Sequence, residues 1–238
     1  MIGRFLLTPK QVFVEGNIYA NRSSLILDWL LCVGIERKAF SIREVAREIG
    51  VSIGLVQKIL AALALQGVLK TSGLRTAKRF SLQRPLLLLN GWINQYHIVK
   101  KCKLWTYRSH LGNRAELLEA LKQTGLQKKV VLALHSATEM HKCKCTNLST
   151  TELYLMDPSL RPKVEKALQL EHQEHGYEVL LIEPYYTGLL ARTGTSDMPL
   201  RVSSPLLTFL DLFHFPLRGR EQAEYMAQKI PELRRIQR

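Results

Sequence analysis

Apolar positions recur three and four apart from Ser24 to Arg37: Leu27, Leu30, Leu31 and Ile35 form a helical stripe that Trp29 and Cys32 widen. The rhythm returns in IREVAREIG, where Ile42, Val45 and Ile49 share a side. Ser41 and Glu44 stand before it at capping-box spacing, and Gly50 ends it, since a left-handed backbone costs glycine nothing. Ser52 caps a further helix with Val56, Ile59, Leu60 and Leu63 as its buried stripe, and Gly67 stops it. The period then falls to two. Val68 to Thr71 and Phe80 to Leu82 read as strands around SGLRTAKR, a loop with three cations and no acid. Ahead of all this, Met1 to Asn21 is mixed, with room for a short strand in FLLTPKQVFV.

The remaining pattern alternates. Pro85 opens RPLLLLNGWIN, a helix or strap expected to pack back on the hairpin with Trp92 as its anchor. Leu104 to Tyr107 alternate as a strand. Asn113 to Thr124 predicts a helix with Leu117, Leu118 and Leu121 inward. Lys129 to Leu134, Glu152 to Met156 and Glu178 to Ile182 are buried strands, with a short helix or turn over Ser136 to Lys142. Pro158 to Gly176 reads as one helix, Leu189 to Arg192 as a short strand, and Ser204 to Phe213 and Glu221 to Ile230 as helices. Strands separated by helices predict an α/β arrangement. The expectation is therefore a two-domain α+β/α/β protein: residues 1–95 a winged helix-turn-helix, residues 96–238 a mixed α/β domain. No Gly/Pro/Ser linker separates them, so the two parts are expected to pack together.

Two helices joined by three or four residues, then a basic hairpin, resemble the winged helix-turn-helix of bacterial transcriptional regulators across Ser24 to Leu82. The charge points the same way. The 238 residues carry a net charge of +14, and Met1 to His110 holds 17 Lys and Arg against 5 Asp and Glu, while Leu111 to Arg238 holds 17 against 15. A field confined to the half with the helix pair implies a polyanion, with double-stranded DNA first and an anionic membrane surface second. Ser52, Gly54, Gln57 and Lys58 fall off the buried stripe and are candidates for the major groove; Gln57 suits an adenine edge and Lys58 a guanine or a phosphate. Arg43 and Arg47, on the preceding helix, and Arg75, Lys78 and Arg79, on the hairpin, are candidate phosphate contacts. An ordinary solvated helix face is the plain alternative.

The second half carries a further resemblance. EVLLIEPYYTGLLAR, followed by RVSSPLLTFLDLFHFPLRGREQAEYMAQKI, is similar to the C-terminal domain of the AbiEi family, the antitoxins of type IV toxin–antitoxin systems. The matching residues are Pro184, Tyr185, Val202, Ser204, Pro205, Asp211, Leu212, Arg218, Gly219, Arg220, Glu221 and Ala223; Gln222 departs, standing where many relatives have an acid. The resemblance implies an N-terminal winged helix, repression of the protein's own operon and neutralisation of a partner toxin. From the residues themselves, Ser204 caps a helix beginning at Pro205, and Asp211 is expected to pair with Arg218 or Arg220; a polar pocket of Tyr185, Asp211 and Arg220 is the rival reading.

Catalytic motifs are missing: there is no Walker loop, GxSxG, HExxH or GxGxxG before a helix. His141, Cys143 and Cys145, with His135 as a fourth ligand, form the one metal-like cluster, but its spacing is not that of a zinc knuckle, and HKCKC reads as a flexible basic loop. Glu171, Glu174, His172 and His175 read as the polar side and end of a helix. Neither a cofactor nor a metal is expected, and the chain is not expected to be an enzyme. No run reaches the ~18 apolar residues a spanning helix needs. The first residues lack a signal-peptide layout, and four cysteines show no disulfide framework, so a cytoplasmic protein with free thiols is expected. The sequence thus supports a DNA-binding regulator. Its rivals are a plasmid replication or maintenance factor, a nucleic-acid-processing enzyme and a winged-helix interaction scaffold.

Overall fold

The computed structural model describes residues 17–74, 77–193 and 200–237. The short strand expected in FLLTPKQVFV and the candidate Arg75 lie outside them.

Three helices lead: α1 (Asn21–Cys32), α2 (Ile42–Ile49) and α3 (Ile53–Leu65). The capping box forms as read. Ser41 Oγ accepts from the Glu44 amide at 3.2 Å, and the Ser41 amide donates to Glu44 Oε2 at 2.6 Å. Gly50 adopts φ +69, and Ser52 Oγ accepts from the Leu55 amide at 3.3 Å. The helices meet through Val45, Ile49, Val56, Ile59, Leu60 and Leu63, all buried against Ile26, Leu27, Leu30 and Leu31 of α1. Trp29 of α1 packs edge-on to Phe40 at 5.0 Å, and its Nε1 donates to Glu48 on α2 at 2.8 Å. The α1 helix stops at Cys32, and a 3-10 turn (Gly34–Glu36) carries Ile35, where the sequence pattern suggested a single helix to Arg37.

The hairpin consists of β1 (Leu69–Ser72) and β2 (Arg79–Leu82), antiparallel with Leu69 opposite Leu82. Phe40 joins it through a reciprocal bridge, its amide and carbonyl each bonded to Phe80 at 2.8 Å. The residue before the cap of α2 is thereby stitched to the hairpin.

After it, α4 (Pro85–Gln95) begins with proline at its first position. It does not pack back on the hairpin. It runs between α1 and two C-terminal helices, and Trp92 Nε1 donates to Tyr186 Oη at 2.8 Å. A short α5 (Ile98–Lys101) leads into β3 (Lys103–Ser109).

The second half builds a six-stranded mixed sheet. Its elements are α6 (Arg114–Gln123), β4 (Val130–Leu132), α7 (Leu134–Met140), β5 (Thr151–Leu155), α8 (Arg161–Ala167), β6 (Leu170–His172), β7 (Val179–Glu183), α9 (Thr187–Arg192), β8 (Arg201–Val202), α10 (Pro205–Phe213), α11 (Gly219–Lys229) and α12 (Pro231–Ile236). The strand order is β6-β3-β7-β5-β4-β8; β5 and β7, and β4 and β8, run parallel, and the other pairs antiparallel. Alternation along the strands separates two cores. Leu180, Ile182, Tyr154 and Val131 face the same core as α1, α3, α4 and α10. Val179, Leu181, Leu153, Leu155, Val130 and Leu132 face a smaller core with Leu117, Leu121 and Val164. The larger core contains residues from both sides of Gln95.

Two further elements differ from expectation. The helix read over Pro158 to Gly176 ends at Ala167; Gln169 turns to φ +48, and Leu170–His172 pairs with the edge of β3 instead. Leu189 to Arg192 is helical rather than extended, because α9 packs along α1. No helix among the described residues is long and apolar enough to cross a membrane.

Candidate nucleic-acid interface

The α2–turn–α3 pair turns its apolar sides to α1 and leaves an outer surface of polar and cationic residues. Arg43 and Arg47 on α2, Ser52, Gly54, Gln57 and Lys58 on α3, and Lys78 and Arg79 on the hairpin are all exposed. The structure therefore leaves every described member of the predicted set open to solvent, on contiguous elements. They are not equivalent. Arg79 donates to Glu44 at 3.4 Å and to the carbonyl of Ala39 at 3.3 Å, which fastens the hairpin to the start of α2. Lys78 lies over the Phe80 ring at 5.4 Å.

The acids of this unit are all engaged elsewhere. Residues 17–84 hold Asp28, Glu36, Glu44 and Glu48. Glu48 takes Trp29 Nε1 and a forked pair from Arg37 at 2.8 and 3.0 Å, and these bonds hold its carboxyl below the usual range. Glu44 is held low chiefly by the Ser41 amide, with Arg79 adding to it. Glu36 pairs with Arg235 of α12. Asp28 is raised to about 6 by burial, opposed by the charge of Arg192. Arg43, Arg47, Lys58, Lys70, Lys78 and Arg84 make no ion pair among the described residues. What remains facing outward is net positive, as anion binding requires.

Ile53, three residues before Val56, belongs to neither the α3 stripe nor the candidate set read from the sequence. It is 52% exposed. The pattern alone contained no sign of this.

The C-terminal candidates are arranged otherwise than expected. Asp211 pairs with neither arginine. It is fully buried on α10, accepting from Tyr96 Oη at 2.8 Å and Tyr154 Oη at 2.7 Å. Burial raises its carboxyl to about 7, the two tyrosine bonds opposing. Arg218 forks onto Glu221, and Arg220 reaches Glu224 at 3.0 Å, both at the surface. No pocket of Tyr185, Asp211 and Arg220 exists; Tyr185 is capped by Lys101, 5.4 Å over its ring. The RGR turn has a steric cause, since a Cβ on Gly219 would meet the Leu212 carbonyl at 2.4 Å. Gln222 has one as well. Its amide donates to the Cys143 carbonyl at 2.7 Å and accepts from the Cys145 amide at 2.8 Å, which a carboxylate cannot do.

That contact packs HKCKC against α11 rather than leaving it flexible: Cys143 is buried and Lys144 pairs with Glu139 at 2.9 Å. His141 Nε2 bonds the Ser203 carbonyl and His135 Nε2 the Leu217 carbonyl, both at 2.8 Å. No group of three His, Cys, Asp or Glu among the described residues is placed to hold a metal. His172 and Glu171 lie on β6 and Glu174 and His175 in the loop after it, not on a helix.

A family model described as "Transcriptional regulator, AbiEi antitoxin, Type IV TA system" matches residues 81–231. No curated protein and no solved structure matches the chain.

Proposed function

The chain belongs to the AbiEi antitoxin family of transcriptional regulators in type IV toxin–antitoxin systems, and from that membership we propose that it is a sequence-specific, DNA-binding repressor of its own operon, acting in the cytoplasm by binding and not by catalysis. Residues 21–82 serve as a winged helix-turn-helix: α3 enters the major groove, α2 crosses the backbone, and the β1–β2 hairpin is the wing. The order of three helices and a hairpin, with Phe40 bridged to Phe80, supports that reading.

The observation that carries it is the charge balance of this surface. Each acid of residues 17–84 is engaged by a partner inside the protein, while Arg43, Arg47, Lys58 and Lys78 make no ion pair among the described residues and lie on the outer face. Phosphates would take those four cations, Gln57 would face a base edge, and Arg79 would set the angle of the wing through Glu44. The C-terminal half is proposed, on family membership, to bind a partner toxin.

The test is binding of the full chain to duplex DNA from upstream of its own gene, against random duplex of equal length, across a salt series. Tighter and less salt-sensitive binding to the upstream duplex is expected. Equal, steeply salt-dependent binding to both would overturn the reading. The antitoxin role is tested separately, by relief of growth arrest when the neighbouring gene's product is expressed with and without this chain.

A further inference from the structure

Two residues in the first turn of α3 are out of place in a purely structural helix. Ile53 leaves half of its side chain in water, beside Ser52 and one turn before Gln57 and Lys58. Gly54 follows it without any requirement from the fold. Its backbone is not left-handed, and a Cβ built there meets nothing within 4 Å. A glycine within a helix weakens it, and an exposed isoleucine loses the stabilisation of burial. Both features make sense if something outside the chain covers them: a missing Cβ lets a surface approach the backbone, and a branched apolar side chain next to it fills an apolar hollow on that surface.

The surrounding charge identifies the surface. Lys58 on the same helix and Arg43 and Arg47 on α2 are exposed and make no ion pair among the described residues, so an apolar protein partner would have to bury or compensate three cations, whereas a duplex neutralises them. The apolar group that a duplex exposes in its major groove is the 5-methyl of thymine. We propose that Ile53 packs against a thymine methyl in the major groove, with Gly54 allowing the close approach. This rests on the DNA-binding reading above and adds a specificity residue to it.

The experiment begins by selecting preferred duplexes from a random-sequence pool with the full wild-type chain. The selected duplex is then made twice, with thymine and with deoxyuridine, which pairs identically but lacks the methyl. The wild type is expected to bind the deoxyuridine duplex about fourfold more weakly per contacted methyl. Ile53→Ala is expected to bind both duplexes equally, at about the affinity of the wild type for the deoxyuridine form. Its salt slope should be that of the wild type, because no phosphate contact is lost. Folding of the variant is checked by its thermal midpoint, and Ile53→Val, which keeps a branched side chain, should retain most of the discrimination. A wild type indifferent to the methyl, or an Ile53→Ala variant that still discriminates, overturns the inference and leaves DNA binding standing. A pool from which no sequence is enriched overturns sequence-specific binding itself, and the inference with it.

Discussion

At the seam between α4 and α10, polar side chains end on other atoms of the protein. Tyr96 and Tyr154 donate to Asp211, Trp92 donates to Tyr186, Tyr186 donates to the carbonyl of Tyr19, and His214 bonds the carbonyl of Ile93 while its ring stacks on His97 at 3.7 Å. On the outer face of α2, α3 and the hairpin, Arg43, Arg47, Gln57 and Lys58 end in solvent. The inward network costs desolvation and returns rigidity, because a buried polar group without its partner is destabilising. The outward set contributes little to stability and remains available to a ligand. Polar residues are abundant in both regions, so abundance does not tell them apart; among the described residues, the outer set differs in lacking internal partners.

The sharpest way to break this contrast is at Asp211. Asp211→Ala leaves two buried phenols without an acceptor and should destabilise the fold by about 3–5 kcal/mol in urea denaturation. The same network should respond to pH. The folded carboxyl is raised to about 7 from an ordinary 3.8, so the native state holds the proton more tightly than the unfolded chain. Its contribution to stability is complete below pH ~4 and is lost as the pH rises through ~7. Subtracting the pH profile of Asp211→Asn from that of the wild type should isolate this fall; a flat difference would mean the carboxyl is not raised.

A smaller effect separates two cations of the outer unit. Lys58→Ala should lower the salt slope of DNA binding by about one unit and leave stability within about 0.5 kcal/mol. Arg79→Ala removes the bonds to Glu44 and Ala39, so it should lower stability and leave the salt slope nearly unchanged. Equal slopes for the two variants would place both guanidinium and ammonium on phosphates. The smallest expected change in stability is at Gly54. Gly54→Ala should stabilise α3 by up to ~1 kcal/mol while weakening DNA binding, an opposition that thermal melts and titrations of one preparation would reveal.

Local signals were legible wherever one short stretch contains both partners. The capping box of Ser41 and Glu44, the left-handed Gly50, the Ser52 and Ser204 caps and the buried stripe of α3 all follow from residues within one or two turns. Two of the misread elements, α8 and α9, failed for a shared reason. Nothing in the pattern after Ala167 distinguishes a helix that continues from a strand that pairs with β3, and Leu189 to Arg192 is short enough for its neighbour α1 to decide its form. The candidate interface was legible residue by residue, because exposure on an amphipathic helix follows from period. Ile53 was read neither as buried nor as a candidate, and its exposure is known only from the folded structure.

The sequence by itself determined the caps, the helix pair, the hairpin and the concentration of positive charge in the first half, since each depends on neighbours along the chain or on counting. Only the tertiary structure decided which charges are free. Asp211 meets partners 115 and 57 residues away, Arg192 donates to the carbonyl of Ile49 across 143 residues, and Glu36 meets Arg235 near the other end of the described chain. Ion pairing and desolvation act through space over a few ångströms, so the pairing of a charge is set by what folding brings beside it and not by its position in the sequence.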